Sequence, residues 1–240
     1  MTYPRIIAHR CGGALAPENT LAGLRIAARL GCRGVEFDAM PCADGVPVVI
    51  HDATLERTTD GSGSVIGRRA TELARLDAGL RHHPAFAGEP LPLLDDALAL
   101  CARLGLWANV EIKPAAGSDE AEAGHTVARH AARTGANVLL SSFSERALRA
   151  AAEVAPDVPR ALLVGAVIGD WHERMAAVGA IALHADAALI SPQQVGELRS
   201  AGVIVACYTV NDRAEGERLL AAGARALFTD RPDLWSPSEM

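Results

Sequence analysis

Apolar positions along the chain alternate between two modes. Ala- and Leu-rich stretches with helical spacing end at a glycine, and short β-prone runs follow with little polar interruption. The closing glycines are Gly31, Gly105, Gly135, Gly179, Gly202 and Gly223. Each suits the left-handed position that ends a helix, where a Cβ would clash. The runs that follow, or stand where another is due, are 33–38, 107–112, 137–141, 160–164, 180–184, 203–208 and 225–229. With the opening run 5–9 they make about eight strands. Ser191 followed by Pro192 reads as a helix N-cap with proline in the first turn, and Asn19, Ser144 and Asp212 are further candidate caps.

Apolar strands alternating with helices predict a parallel sheet covered on both faces. About eight such units in 240 residues match the size of a (β/α)8 TIM barrel, here a single domain over residues 1–240. A doubly wound open sheet is the competing architecture, but it ordinarily has fewer strands. The segment between the run 46–50 and the helical pattern that begins near Leu93 breaks the repeat. It contains Thr58-Thr59-Asp60-Gly61-Ser62-Gly63 and Pro84, Pro90 and Pro92. Long irregular segments in compact domains are usually functional, so residues 52–92 read as a small insertion after the second strand, folded over one end of the barrel.

Composition removes several function classes. Half of the residues are apolar and 22% are charged, a balance that supports a large core. The net charge of −6 provides no overall positive field for a nucleic-acid backbone, so nucleic acid is not an expected partner. No run approaches the ~18 apolar residues of a membrane span, and the N-terminus has no signal-like apolar region, which argues against stable membrane insertion and secretion. The five cysteines, Cys11, Cys32, Cys42, Cys101 and Cys207, are odd in number and form no C-x-x-C pair. They read as free, mostly buried thiols of a cytoplasmic protein, not as disulfides or a zinc site. Nucleotide-binding glycine motifs are absent, and no feature sets an oligomeric state.

Candidate chemistry collects at the C-terminal ends of the strands, the working face of such a barrel. His9 and Arg10 close the first strand, Glu36 and Asp38 the second, His51 follows the run 46–50, and Glu111 and Lys113 close the run 107–112. Residues two apart on a strand share a face, so three carboxylates converge on one mouth. A hard divalent cation, Mg2+ or Ca2+, is the natural counter-ion for an all-oxygen donor set. The alternative is a structural network in which Lys113 and Arg10 neutralise the carboxylates. His9 and His51 beside such a site suit proton transfer near neutral pH, although either alone also reads as a satisfied core histidine. Arg10 and Lys113 suit an anionic, phosphate-like substrate or, alternatively, charge balance. The pair Gly12-Gly13 reads equally as a phosphate approach or a turn. His184 is a further candidate for lining the mouth, whereas His82, His83, His125, His130 and His172 read as solvated.

The ordered set His9-Arg10-Cys11-Gly12-Gly13, Pro17-Glu18-Asn19-Thr20, Glu36-Phe37-Asp38, Asp44-Gly45, His51-Asp52, Leu55-Glu56-Arg57-Thr58, Glu111-Ile112-Lys113, Tyr208-Thr209-Val210-Asn211 and Thr229-Asp230 resembles the glycerophosphodiester phosphodiesterases, most closely the cytoplasmic bacterial type. The resemblance implies a (β/α)8 barrel that hydrolyses a small-molecule glycerophosphodiester to glycerol 3-phosphate and an alcohol such as choline, ethanolamine or glycerol. It implies Glu36, Asp38 and Glu111 as metal ligands, His9 and His51 as the acid/base pair, Arg10, Glu18 and Lys113 as phosphate-site residues, and Tyr208 as an aromatic wall. Cys11 stands where the family usually has glycine, and reads as a thiol near the metal that is sensitive to oxidation.

Acid/base catalysis contributes about 10²–10⁴-fold, or ~3–5 kcal/mol, too little for phosphodiester hydrolysis. The resemblance suggests that a glycerol 2-hydroxyl attacks the adjacent phosphorus, a well-oriented intramolecular reaction with ~7–11 kcal/mol available to it, through a cyclic glycerol phosphate that water later opens. Two other readings compete: a phospholipase D-like barrel acting on lysophospholipids, and a non-catalytic barrel that binds glycerophosphodiesters.

Overall fold

The computed structural model of the chain describes residues 3–240. Its elements run β1 (Ile6–Ala8), α1 (Leu21–Leu30), β2 (Gly34–Pro41), β3 (Pro47–Val49), α2 (Ala70–Leu73), α3 (Leu94–Leu104), β4 (Trp107–Ile112), α4 (Glu120–Arg133), β5 (Asn137–Ser142), α5 (Glu145–Val154), β6 (Arg160–Val164), α6 (Trp171–Val178), β7 (Ala182–Asp186), α7 (Pro192–Ser200), β8 (Ile204–Tyr208), α8 (Arg213–Ala222) and β9 (Ala226–Thr229). The parallel strands follow the order β1-β9-β8-β7-β6-β5-β4-β2, and β1 pairs with β2 to close the ring. This is the (β/α)8 barrel. β3 lies outside the ring as an antiparallel partner of β2, with Ala39 opposite Val49.

Local signals account for the boundaries. Gly31, Gly105, Gly179 and Gly223 terminate helices in the left-handed conformation, with φ of 93, 68, 59 and 115°. Ser144, Ser191 and Asp212 cap α5, α7 and α8 through their side chains. Asn19 does not cap α1. Thr20 accepts the Gly23 N–H instead, while Asn19 adopts φ 56° and sends its amide to Asp38. The competing hydrogen bond to a buried carboxylate decides the outcome.

Alternation along β2 positions the chemistry. Phe37 is fully buried in the layer between strands and helices, in one cluster with Leu94 and Leu98 of α3. Burying a side chain of this size contributes about 1.5–3 kcal/mol, and a slip of one residue would turn Phe37 inward. Glu36 and Asp38 are thereby committed to the barrel interior. Below them the barrel is plugged by Ile7, Trp107, Leu139 and Phe228, with alanines at 161, 182, 206 and 226 leaving room for the aromatic rings.

The segment between β3 and α3 carries its own small core. Leu55, Val65, Leu73 and Leu91 pack with Met40 and Ile50, and short bridges join Thr54 to Ser64 and Asp77 to Pro90. It folds beside the C-terminal end of β2.

Candidate active site

Glu36 and Asp38 project from β2, and Asp38 stands opposite Glu111 in the β2–β4 ladder. One carboxylate oxygen from each of the three lies within 4.8 Å of the others. Glu36 and Asp38 are only 4% and 1% exposed. Lys113 sits 3.2 Å from Glu111 Oε1 and 3.6 Å from Asp38 Oδ1, and Asn19 Nδ2 donates to Asp38 Oδ2 at 2.8 Å. Glu36 is left with the backbone N–H of Arg10 at 2.9 Å and His9 Nε2 at 3.8 Å. Among the described residues, no lysine or arginine side chain pairs with it.

The charge balance tests whether a cation fits. Burial, reinforced by Asp38, pushes the Glu36 carboxyl well above its ordinary range, and the same two causes raise Glu111. Lys113 is raised despite burial because Glu111 and Asp38 face it. Lys113 therefore neutralises one edge of the cluster and leaves Glu36 uncompensated. Three convergent oxygen donors with an unbalanced charge fit a hard divalent cation held by Glu36, Asp38 and Glu111. The purely structural ion-pair network accounts for Glu111 and Lys113 but not for Glu36.

The chain makes an uncommon turn after β1. Arg10 and Cys11 both have positive φ, 48 and 76°, and the turn delivers the Arg10 N–H to Glu36 Oε2 and the Cys11 N–H to the Glu36 carbonyl at 2.7 Å. The Cys11 side chain is buried in the core with Leu24, Ala27 and Cys101, and burial raises its thiol. Burial takes the thiol out of reach of solvent, against the expected sensitivity to oxidation, although Glu36 and Asp38 still lie near enough to help raise it. All five cysteines are free and buried. The Gly12 and Gly13 N–H groups are taken by the carbonyls of Arg10 and His9, which supports the turn reading of that pair.

Each histidine has its own carboxylate. His9 Nδ1 lies 2.7 Å from Asp230 Oδ1, and Asp230 Oδ2 accepts from Asn211 Nδ2 at 2.8 Å. Burial works against a charged His9, but Asp230 and Glu36 outweigh it, so its pKa is raised. His51 Nδ1 lies 2.7 Å from Asp52 Oδ1. Arg57 binds Asp52 and also reaches Glu18, with Nη1–Oε2 at 2.6 Å. Glu18 completes the chain to Arg10 Nη1 at 3.1 Å. Arg57 holds the Asp52 carboxyl well below the usual range; Glu18 is lowered too, Arg57 and Arg10 outweighing its burial.

Tyr208 donates its hydroxyl to the Val164 carbonyl at 2.7 Å and stands edge-on to Phe143 with ring centres 6.0 Å apart. Its ring walls a recess of about 40 Å³ that also touches Glu36, Glu111 and His9. His184 forms the floor of that recess, fully buried and bonded to the Tyr3 hydroxyl, and burial pushes its pKa down to about 3. It supports the mouth without titrating near neutrality. His125 and His130 are half-buried on the outer surface and pair with the exposed carboxylates of Glu153 and Asp95.

Sequence reasoning missed Asp230, Asn211, Asp52 and Arg57 as partners of the site. Their signals were present in the motifs, since Asp52 follows His51 directly and Asp230 follows the last strand. Their roles emerge only from contacts made across the mouth.

The Glycerophosphoryl diester phosphodiesterase family profile matches residues 9–234. A glycerophosphodiester phosphodiesterase of Caldanaerobacter subterraneus is 33% identical over 233 residues, covering 95% of this chain and 94% of its own. An Oleispira antarctica phosphodiesterase, solved in complex with the product sn-glycerol-3-phosphate, is 35% identical with a TM-score of 0.92 and covers 96% of this chain and 94% of that one. A glycerophosphodiester phosphodiesterase of Agrobacterium tumefaciens is 30% identical with a TM-score of 0.76, covering 97% and 98%.

Proposed function

Because the chain belongs to the glycerophosphoryl diester phosphodiesterase family of hydrolases, we propose that it hydrolyses a small glycerophosphodiester to glycerol 3-phosphate and an alcohol, using one divalent cation, Mg2+ or Ca2+. The observation that carries this reading is the cluster of Glu36, Asp38 and Glu111 within 4.8 Å, with His9 Nε2 3.8 Å from Glu36. The product bound by the Oleispira relative gives it chemical direction. When bound, the cation supplies charge stabilisation at a phosphoryl oxygen.

The chain's own groups do the rest. Arg10 Nε is buried, 4.0 Å from Asp38 Oδ2 and without a hydrogen-bond acceptor among the described residues, so its N–H is available to a phosphate oxygen. Lys113 supplies a second positive group from β4. Glu18 braces Arg10 and Arg57, and the Tyr208 ring walls the recess. Asp230 at Nδ1 leaves His9 Nε2 facing the cluster. Asp52 holds Nδ1 of His51 in the same way. One imidazole takes the proton of the glycerol 2-hydroxyl as that oxygen attacks phosphorus, and the other protonates the departing alkoxide, leaving a cyclic glycerol phosphate. Water then attacks the same phosphorus, the P–O bond to the 2-oxygen breaks, and the imidazoles take the water proton and return one to that oxygen, giving glycerol 3-phosphate. The buried free thiols are consistent with a cytoplasmic setting.

The test is glycerol 3-phosphate release from glycerophosphocholine with added Mg2+ or Ca2+, with and without chelator. Metal-dependent release is expected. No release under either metal overturns the reading, and equal cleavage of an analogue lacking the 2-hydroxyl overturns the internal attack.

A further inference from the structure

A second cavity of about 660 Å³ opens from the same mouth and shares His9 with the recess beneath Tyr208. The diester has two arms leaving phosphorus in different directions, and the recess of about 40 Å³ admits only a short one. The large cleft is lined by Arg10, Arg57, Arg81 and Arg231 against Glu18 and Asp230. Glu18 is taken up by Arg10 and Arg57, Asp230 by His9 and Asn211, and Arg231 by Asp233 at 2.8 Å.

Arg81 stands apart. Its Nε donates to the carbonyl of the buried Thr59, its Nη groups bond nothing among the described residues, and no carboxylate pairs with it. Its position is built, not incidental. Asp77 accepts the N–H groups of Gly79, Leu80 and Gly88 at 2.7–2.8 Å, and Glu89 accepts the Ala22 N–H at 2.8 Å. These bonds tie the turn that carries Arg81 to the start of α1. No phenylalanine, tyrosine or tryptophan lines the cleft, so it lacks the aromatic faces that bind quaternary ammonium groups.

We propose that this cleft is the subsite for the leaving alcohol, and that Arg81 selects an alcohol bearing its own anionic group, a carboxylate or a second phosphate, over a cationic one such as choline. The inference rests on the hydrolase reading above and specifies its substrate class. A guanidinium with unspent donors in a partly enclosed cleft favours a carboxylate through paired N–H···O bonds, with a discrimination of about tenfold.

The experiment compares kcat/KM for the serine and ethanolamine diesters of glycerol phosphate, which differ by one carboxylate, in the metal-loaded enzyme. The wild type is expected to favour the serine diester by about tenfold. Arg81→Gln is expected to bring the ratio near one and Arg81→Lys to retain part of it, with the wild-type preference shrinking at high salt. Because each enzyme is its own control, partial misfolding lowers both rates and leaves the ratio readable. Hydrolysis of both diesters at equal rates, or a preference that survives Arg81→Gln, overturns the subsite alone. Hydrolysis of neither overturns the hydrolase reading and the subsite with it.

Discussion

Asp230 and His9 are separated by 221 positions in the chain yet meet at 2.7 Å, Oδ1 against Nδ1. The bond fixes the ring's orientation and tautomer and leaves Nε2 toward Glu36. Asp230→Ala is expected to lower kcat by about 10–10²-fold, a part of the full acid/base contribution, with KM nearly unchanged. Steady-state kinetics beside a thermal melt checks it; an unchanged kcat in a folded variant refutes the role.

Gly13 packs against the backbone of Asp230. It has φ 60°, and a Cβ there would stand 2.3 Å from the Asp230 carbonyl oxygen. Gly13→Ala must therefore shift the turn after β1 or the segment after β9. The expected result is a loss of about 1–3 kcal/mol of stability together with reduced turnover, read from denaturant unfolding and kcat.

Glu36 carries a conflict between stability and cation binding. Its buried carboxyl faces Asp38 and Glu111 without a lysine or arginine partner. Glu36→Gln keeps an oxygen for the Arg10 N–H and removes the charge. At alkaline pH the chelated variant is expected to melt at a higher temperature than the chelated wild type. Added Mg2+ or Ca2+ should raise the melting temperature of the wild type and leave the variant unmoved.

The raised pKa values of Glu36 and Glu111 also set a pH dependence. In the metal-free protein these groups hold protons that the unfolded chain has already released. Stability from them is full below the ordinary glutamate range and falls as pH rises through the raised folded values. Melts of chelated protein from pH 5 to 9 should decline accordingly. Cation binding displaces those protons, so calorimetry at pH 7 in buffers of different ionisation enthalpy should register proton release.

The barrel was legible because its punctuation is local: a glycine at or just past most of the helices and an apolar run after each of those glycines need no knowledge of distant residues. The carboxylate trio was legible for a related reason, since period-two alternation places Glu36 and Asp38 on one face and Glu111 closes a neighbouring run. Thr20 displaced Asn19 as the α1 cap because Asp38, a distant residue, claims the Asn19 amide. Arg57 was invisible as a bridge between Asp52 and Glu18 because the inserted segment has no period from which a facing can be read. The burial of Cys11 was not legible because its place next to Arg10 says nothing of the packing against Leu24 and Ala27 that covers it.

His9 leaves the first strand of the ring and receives its carboxylate from the segment just past the last, and β1 pairs with β9 directly. During synthesis the ring nitrogen waits for nearly the whole polypeptide before it is oriented. A ribosome-bound chain that ends before residue 230 holds Glu36, Asp38, Glu111 and both histidines but lacks the carboxylate that meets His9, so the mouth is completed by the final seam and not by increments.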